Sequence, residues 1–210
     1  MKTLIAIPCM DMMHSAFVRC LCRMRKIGDV EYGIISGSLI YDARNELAGR
    51  AVEENFDFVL WLDSDMVFNP DLMERLLEDM EGRQMVSGIY YKRVPLHTPV
   101  IYKECRINRT PEGRLEPVAD IYMNYPEHEI FPIKACGFGC VMMRGGLIAS
   151  LQNNLGPWPF MPAAGFGEDL SFCMRVNQLG ETIYADSNIQ LGHIGQRIFG
   201  ETENLSLDNK

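Results

Sequence analysis

Two aspartates one residue apart, Asp63 and Asp65, follow the apolar run Phe58-Val59-Leu60-Trp61-Leu62. Carboxylates at this spacing, with Ser64 between them, can hold a divalent cation through hard oxygen ligands and use it to grip phosphate. The competing reading is a surface turn that caps the next helix. Arg44 precedes them on an amphipathic segment and offers a planar donor fork for phosphate or carboxylate, although Asp42 and Glu46 are near enough to engage it. Gly167-Glu168-Asp169 puts two carboxylates at a helix start, where they either complement the helix dipole or face a substrate as general base. In Gly192-His193-Ile194-Gly195 the lone histidine is either a satisfied polar side chain or a metal ligand, and as a ligand its neutral imidazole would suit Mn²⁺ better than Mg²⁺ or Ca²⁺ in a mixed oxygen and nitrogen shell. His14, His97 and His128 lack such neighbours and carry no assigned role. The segment Ala135-Cys136-Gly137-Phe138-Gly139-Cys140 departs from the dinucleotide-binding glycine pattern and reads as a bulge in a strand under the site.

These groups need a sheet to carry them. Five consecutive apolar residues at 58–62 predict a strand buried on both faces, and ligands of open α/β sheets bind outside the carboxyl ends of such strands. Ahead of it come a short strand, Leu4 to Ile7, closed by Pro8, and a helix over 14–25 with Phe17, Val18 and Leu21 on one side. A strand at 30–36 and an amphipathic helix at 40–55 follow. Asn69 as N-cap with Pro70 in the first helical position starts a helix that ends near Gly82, and 85–90 is a further strand. This alternation predicts an α/β fold, a mostly parallel sheet with helices on both faces. Pro95, Pro99, Pro111, Pro117, Pro126 and Pro132 then break 93–132 into an antiparallel insertion, with a turn at Thr110-Pro111-Glu112-Gly113. Regular structure returns at 133–143, followed by a helix over 146–153, a Pro-rich loop over 156–165, a helix over 168–179 and a strand at 182–185. One domain over 1–200 with a polar tail, 201–210, accommodates all of this.

Composition narrows the partners. The 210 residues carry a net charge of −8, the reverse of the basic footprint of a duplex nucleic-acid binder. Seven cysteines show no paired zinc spacing, and four apolar residues before Pro8 are too few for a secretory signal. No apolar run approaches the roughly 18 residues of a membrane span. Reduced, mostly buried thiols and a cytoplasmic location are the expectation.

In this order, Ile7-Pro8, Ala43-Arg44-Asn45, Leu62-Asp63-Ser64-Asp65, Gly137-Phe138-Gly139, Gly167-Glu168-Asp169 and Gly192-His193-Ile194-Gly195 resemble a glycosyltransferase of the GT-A fold, close to the small family-two-like enzymes of bacteria and phages. The resemblance implies a nucleotide-sugar donor, with a UDP-sugar first, whose diphosphate is held through a divalent metal, Mn²⁺ before Mg²⁺. It implies that Asp65 ligates the metal, that Asp63 shares it or contacts the ribose, and that His193 closes the shell. Ile7, Pro8, Arg44 and Ser64 would line the nucleotide pocket, with Asp169 and Glu168 on the acceptor side. A carboxylate that deprotonates the acceptor supports inversion at the anomeric carbon, and one that only orients it leaves retention open. The acceptor is a glycan or another hydroxyl; the acidic charge disfavours DNA without removing a modified base. Its specificity comes from the 93–132 insertion, the 156–166 loop with Trp158, Phe160 and Phe166, the tail, or a second subunit. Two alternatives stand beside this reading: a nucleotidyltransferase, and a non-catalytic nucleotide-sugar binding module. The first lacks its phosphate loop, since Cys9-Met10-Asp11-Met12-Met13 holds neither glycine nor lysine.

Overall fold

Strand 58–62 forms as expected and shows why its residues are uniformly apolar. In the computed structural model, which describes residues 1–93 and 96–195, Phe58–Leu62 is β3 within a seven-stranded sheet. Its side chains alternate between two cores. Val59 and Trp61 join Leu4, Ala6, Leu47 and Ile148 on one face, while Leu60 and Leu62 join Ile5, Ile7, Phe17 and Leu72 on the other. A period of two thus meets apolar partners on both sides, and each side chain contributes about 1.5–3 kcal/mol relative to exposure.

The chain enters through β1 (Lys2–Cys9), α1 (Ser15–Arg23), β2 (Asp29–Ser36) and α2 (Ile40–Glu53) before β3. Past β3 come β4 (Met66–Val67), α3 (Leu72–Asp79) and β5 (Met85–Ile89). A hairpin, β6 (Ile101–Arg109) and β7 (Leu115–Ile121), precedes β8 (Ile130–Ile133), β9 (Ala135–Cys136) and β10 (Cys140–Arg144). Helices α4 (Gly145–Leu155) and α5 (Glu168–Gln178), then β11 (Ile183–Gln190) and β12 (Gly192–His193), complete the described residues. The main sheet runs β2-β1-β3-β10-β5-β11-β8. Its strands are parallel except β10, antiparallel to β3 and β5, and β8, antiparallel to β11. The expected mostly parallel sheet is present. Pro95, the boundary at 200 and the tail 201–210 lie outside the described residues.

Several expectations need correction. Pro8 does not close β1 but sits inside it, paired with Ile35. Pairing with β3 stops at Ala6, so beyond that point β1 has an open side where a missing N–H costs nothing. Helix α3 begins at Leu72 with Asp71 as N-cap, since Asn69 instead makes a turn through its carbonyl to the Leu72 amide. Val18 is exposed on α1 while Phe17 is buried. His14, given no role, caps α1: its Nδ1 accepts from the Ala16 amide at 3.2 Å. Strand β8, expected within the insertion, is an edge strand of the main sheet. The insertion proper is the three-stranded antiparallel sheet β7-β6-β9, and its turn forms as predicted, with the Gly113 amide donating to the Thr110 carbonyl.

Glycines 137–139 are no bulge. They carry the chain from β9 in the small sheet to β10 in the main one. The reason is the Tyr90 ring, which fills the space a side chain would take. A Cβ on Gly137 would collide with the Tyr90 hydroxyl, and one on Gly139 would lie 2.7 Å from Tyr90 Cζ. The Gly139 amide donates to the Tyr90 hydroxyl at 3.2 Å.

Candidate active site

The turn after β3 sets the first part of the site. The Asp63 amide donates to the Gly139 carbonyl at 3.2 Å and the Met66 amide to the Asp63 carbonyl at 3.2 Å, so Asp63, Ser64 and Asp65 stand at the carboxyl end of the sheet. Two-residue β4 then pairs with β12, putting His193 opposite Met66, and the Ile194 amide donates to the Asp65 carbonyl at 2.9 Å. That short ladder brings together residues far apart in sequence. His193 Nε2 lies 3.4 Å from Asp65 Oδ2.

The other imidazole nitrogen is fixed by the backbone. His193 Nδ1 lies 2.8 Å from the Tyr91 carbonyl, which can only accept, so Nδ1 carries the hydrogen and Nε2 faces Asp65. Burial opposes the charged imidazole, but Asp65 and the Tyr91 carbonyl outweigh it and raise its pKa above the ordinary value. For Asp65 burial likewise favours the neutral acid, and hydrogen bonding and charge from His193, with Arg93, bring its pKa below the usual range. Arg93 Nη1 sits 3.0 Å from the same Oδ2.

Asp63 is turned toward a different cation. Its Oδ1 accepts from Arg44 Nη2 at 2.9 Å, and Arg44 Nε lies 3.5 Å from Glu168 Oε1. Asp42 and Glu46, its expected rivals, are not its partners. The Arg44 side chain is only 3% exposed, and its guanidinium lies 5.2 Å from the Phe138 ring centre and 5.8 Å from that of Trp61. Its Nη1 and Nε have no hydrogen-bond partner.

On the far side, α5 opens with Glu168 and Asp169 behind Gly167. The Leu170 amide donates to Asp169 Oδ1 at 2.7 Å. Burial first, then the charge of Glu168, push the Asp169 carboxyl up to about 6 despite the opposing influence of that amide and Arg44. Burial, then the charge of Asp63, also keeps the Tyr90 phenol well above its ordinary range.

These groups line one cavity of about 270 Å³, together with Pro8, Cys9, Met10, Ser38, Ile40, Ala43, Ser64, Tyr90 and Phe138. Ile7 is not among them; it is fully buried in the core with Phe17. Phe160, one of the loop aromatics named for acceptor specificity, is buried against Phe172, Phe138 and Trp61, with its amide donating to Asn45 Oδ1. Phe166 is buried too, while Trp158 is exposed. Among the described residues, no three of His, Cys, Asp and Glu converge as a metal-holding group. The expected trio is divided by Arg44, which takes Asp63 and leaves Asp65 with His193. A carboxylate oxygen and an imidazole nitrogen of fixed tautomer still fit a Mn²⁺-type ion that completes its shell with substrate phosphate and water.

Sequence reasoning missed Arg93 and Tyr90. Arg93 lies in an aperiodic stretch that gives a lone cation no signal, whereas Tyr90 was legible only as a strand residue. A larger cavity, about 650 Å³, opens among Phe56, Asp57, Arg144 and Gly145 at the opposite end of β3. The Arg144 guanidinium there is already held by the carbonyls of Arg83 and Met80. All seven cysteines are free, and no described helix is long and apolar enough to cross a membrane.

No protein-family model and no curated protein sequence matches this chain. Solved structures do. A197 from STIV is similar with a TM-score of 0.68 and 22% identity, over 100% of this chain and 92% of that one. GalNAc-T7, in a structure with UDP, GalNAc and Mn²⁺, is similar with a TM-score of 0.59 and 10% identity over 93% of this chain. This chain spans 44% of the GalNAc-T7 chain. The likeness is one of fold, the GT-A fold, in keeping with the largely parallel sheet flanked by helices.

Proposed function

We propose that residues 1–200 form one catalytic domain, a metal-dependent glycosyltransferase that moves a sugar from a nucleotide-diphosphate donor, a UDP-sugar first, to an acceptor hydroxyl. The observation that carries this is the convergence of Asp63, Asp65, His193, Arg44, Glu168 and Asp169 on one cavity at the carboxyl ends of β1 and β3. The Mn²⁺, UDP and GalNAc in the GalNAc-T7 structure support the same reading.

Asp65 and His193 would hold the divalent ion. When bound, it stabilises the charge that grows on the leaving diphosphate. The remaining work falls to the chain itself. Pro8, Ser38, Ala43 and Ser64 form the wall against which the nucleotide packs. Arg44 holds Asp63 and Glu168 apart and in fixed orientation, so Asp63 meets the ribose without a rotamer search. Asp169 keeps Oδ1 on the Leu170 amide and presents its other oxygen to the acceptor hydroxyl. With a pKa of about 6 it is ionised at neutral pH yet basic enough to accept a proton as the sugar transfers.

Calorimetry of UDP with and without Mn²⁺ tests the proposal. Metal-dependent UDP binding that Asp65→Ala and His193→Ala each abolish is the expected result. Metal-independent binding, or full donor hydrolysis by Asp65→Ala, refutes it.

A further inference from the structure

A second cavity, about 570 Å³, lies beside the first, across the segment Tyr90-Tyr91. Tyr90 lines the donor side and Tyr91 lines this one. The Tyr91 carbonyl is the group that fixes His193. Gln190, at the end of β11, is also in the wall, two residues before β12. The two cavities are therefore lined from one segment, whose Tyr91 carbonyl orients a proposed metal ligand.

Its lining is specific in chemistry. The Tyr91 and Tyr125 hydroxyls are hydrogen-bonded at 2.6 Å, and the Tyr125 ring stacks on buried Phe131 with 7° between planes. This is a fixed aromatic wall with its polar end already oriented. Two histidines add acceptors. His97 Nδ1 is bound to the Lys92 carbonyl at 3.2 Å, so Nε2 is left as the acceptor. His128 Nδ1 meets Asn188 Oδ1 at 3.3 Å, and the Asn188 amide nitrogen is committed to Asp186, so the same logic leaves His128 Nε2 as an acceptor. Asn124 brings an amide with both donors and acceptor.

These features select among ligand classes. An anion would meet no arginine or lysine among the lining residues and would be repelled by Glu127. A purely apolar ligand would leave the amide and imidazole groups unpaired, at a cost of about 1–3 kcal/mol each. A neutral ring with hydroxyls at its edge satisfies both the aromatic wall and the acceptors, and cavities of roughly 300–1,000 Å³ suit small molecules. We infer that this cavity is a carbohydrate subsite that receives a neutral sugar of the acceptor next to the transfer site. The inference rests on the transferase reading only for the word acceptor; binding of the sugar stands alone.

The test is saturation-transfer NMR with a panel of neutral disaccharides (chitobiose, mannobiose, cellobiose, maltose and lactose) on the whole chain, without UDP or metal. At least one should bind in the millimolar range. Asn124→Ala changes an exposed side chain and should weaken that binding about fivefold, and Tyr125→Ala more than tenfold. UDP–Mn²⁺ calorimetry on the same samples reads the donor site separately. Absence of any binder at about 10 mM, binding by both variants as tight as the parent's, or displacement by inorganic phosphate overturns the subsite. Sugar binding that survives a failed UDP titration supports the subsite and refutes only the transferase reading.

Discussion

Replacing Arg44 by Met isolates the electrostatic keystone of the site. Met keeps most of the volume between Trp61, Phe138 and Phe160 while removing the cation 2.9 Å from Asp63 and 3.5 Å from Glu168. Breaking a fully buried pair by removing one partner costs about 3–5 kcal/mol, because the other charge is stranded. Two facts reduce that here. The Asp63 side chain is 30% exposed and can recover water, and Arg44 Nε and Nη1 are buried without hydrogen bonds, a cost the variant relieves. A loss of about 2 kcal/mol remains, equivalent to about 4–8 °C in a chain of this size. Urea denaturation at neutral pH reads the loss directly, and Arg44→Met/Asp63→Asn should return to within about 1 kcal/mol of the parent, since the nearer stranded charge is gone and only Glu168 at 3.5 Å remains. Arg44 also lowers the Asp169 pKa, so the single variant should shift the acid limb of any pH–rate profile upward. A single variant as stable as the parent, or a double variant no better than the single, would refute the account of Arg44 as a buried counter-ion.

Asp169→Asn should lower sugar transfer by about 10²–10⁴-fold while leaving UDP affinity unchanged, and the parent's rate should rise with pH through about 6; a flat profile contradicts a base at this position. Burial, then the nearby charge of Asp186, push Asp79 up to about 7. A raised carboxyl stabilises the fold at low pH, and that stability is lost as pH climbs from about 4 to about 7. Because Asp79 is only partly buried, we expect a fall of about 2 kcal/mol, and Asp79→Asn should flatten it in denaturation series across the window. Gly139→Ala would drive a methyl against the Tyr90 ring and should cost about 1–3 kcal/mol. Gly49→Ala, in α2 with nothing within 4 Å, should instead gain about 1 kcal/mol, a contrast thermal melts can check.

Elements with strong periodicity were legible and those set by long-range pairing were not. Residues 58–62 declared themselves because both faces of β3 meet apolar partners. The pair Asp63 and Asp65 was visible as chemistry, yet their opposite fates were not: Arg44 claims one and His193 the other, through contacts no local pattern encodes. His193 could be nominated, but the two-residue β4–β12 ladder that delivers it is too short to have a period. Phe160 shows the reverse failure. Set among prolines, it read as either a sugar-stacking aromatic or loop packing; the ring is in the core, with its amide bound to the Asn45 side chain. Arg93 and Tyr91 gave no sign, because their importance lies in long-range contacts: Arg93 with Asp65 and the Tyr91 carbonyl with His193.

Gly137–Gly139 shows how the two halves of the site are joined mechanically. At one end this segment leaves β9, which pairs with β6 of the insertion; at the other it enters β10, at the centre of the main sheet. Between them, the Gly139 carbonyl holds the Asp63 amide and the Gly139 amide holds the Tyr90 hydroxyl. Tyr90 in turn packs edge-on against His193 at 5.4 Å, and its neighbour Tyr91 lines the second cavity. One tyrosine and one peptide thus connect the insertion to Asp63 and His193. Interiors packed this tightly transmit strain instead of absorbing it. Removing only the Tyr90 hydroxyl by Tyr90→Phe keeps the ring but cuts the tie to Gly139, so on the proposed reading UDP–Mn²⁺ affinity should fall although Tyr90 is not one of the proposed metal ligands. Unchanged affinity in that variant would mean the glycines serve packing alone.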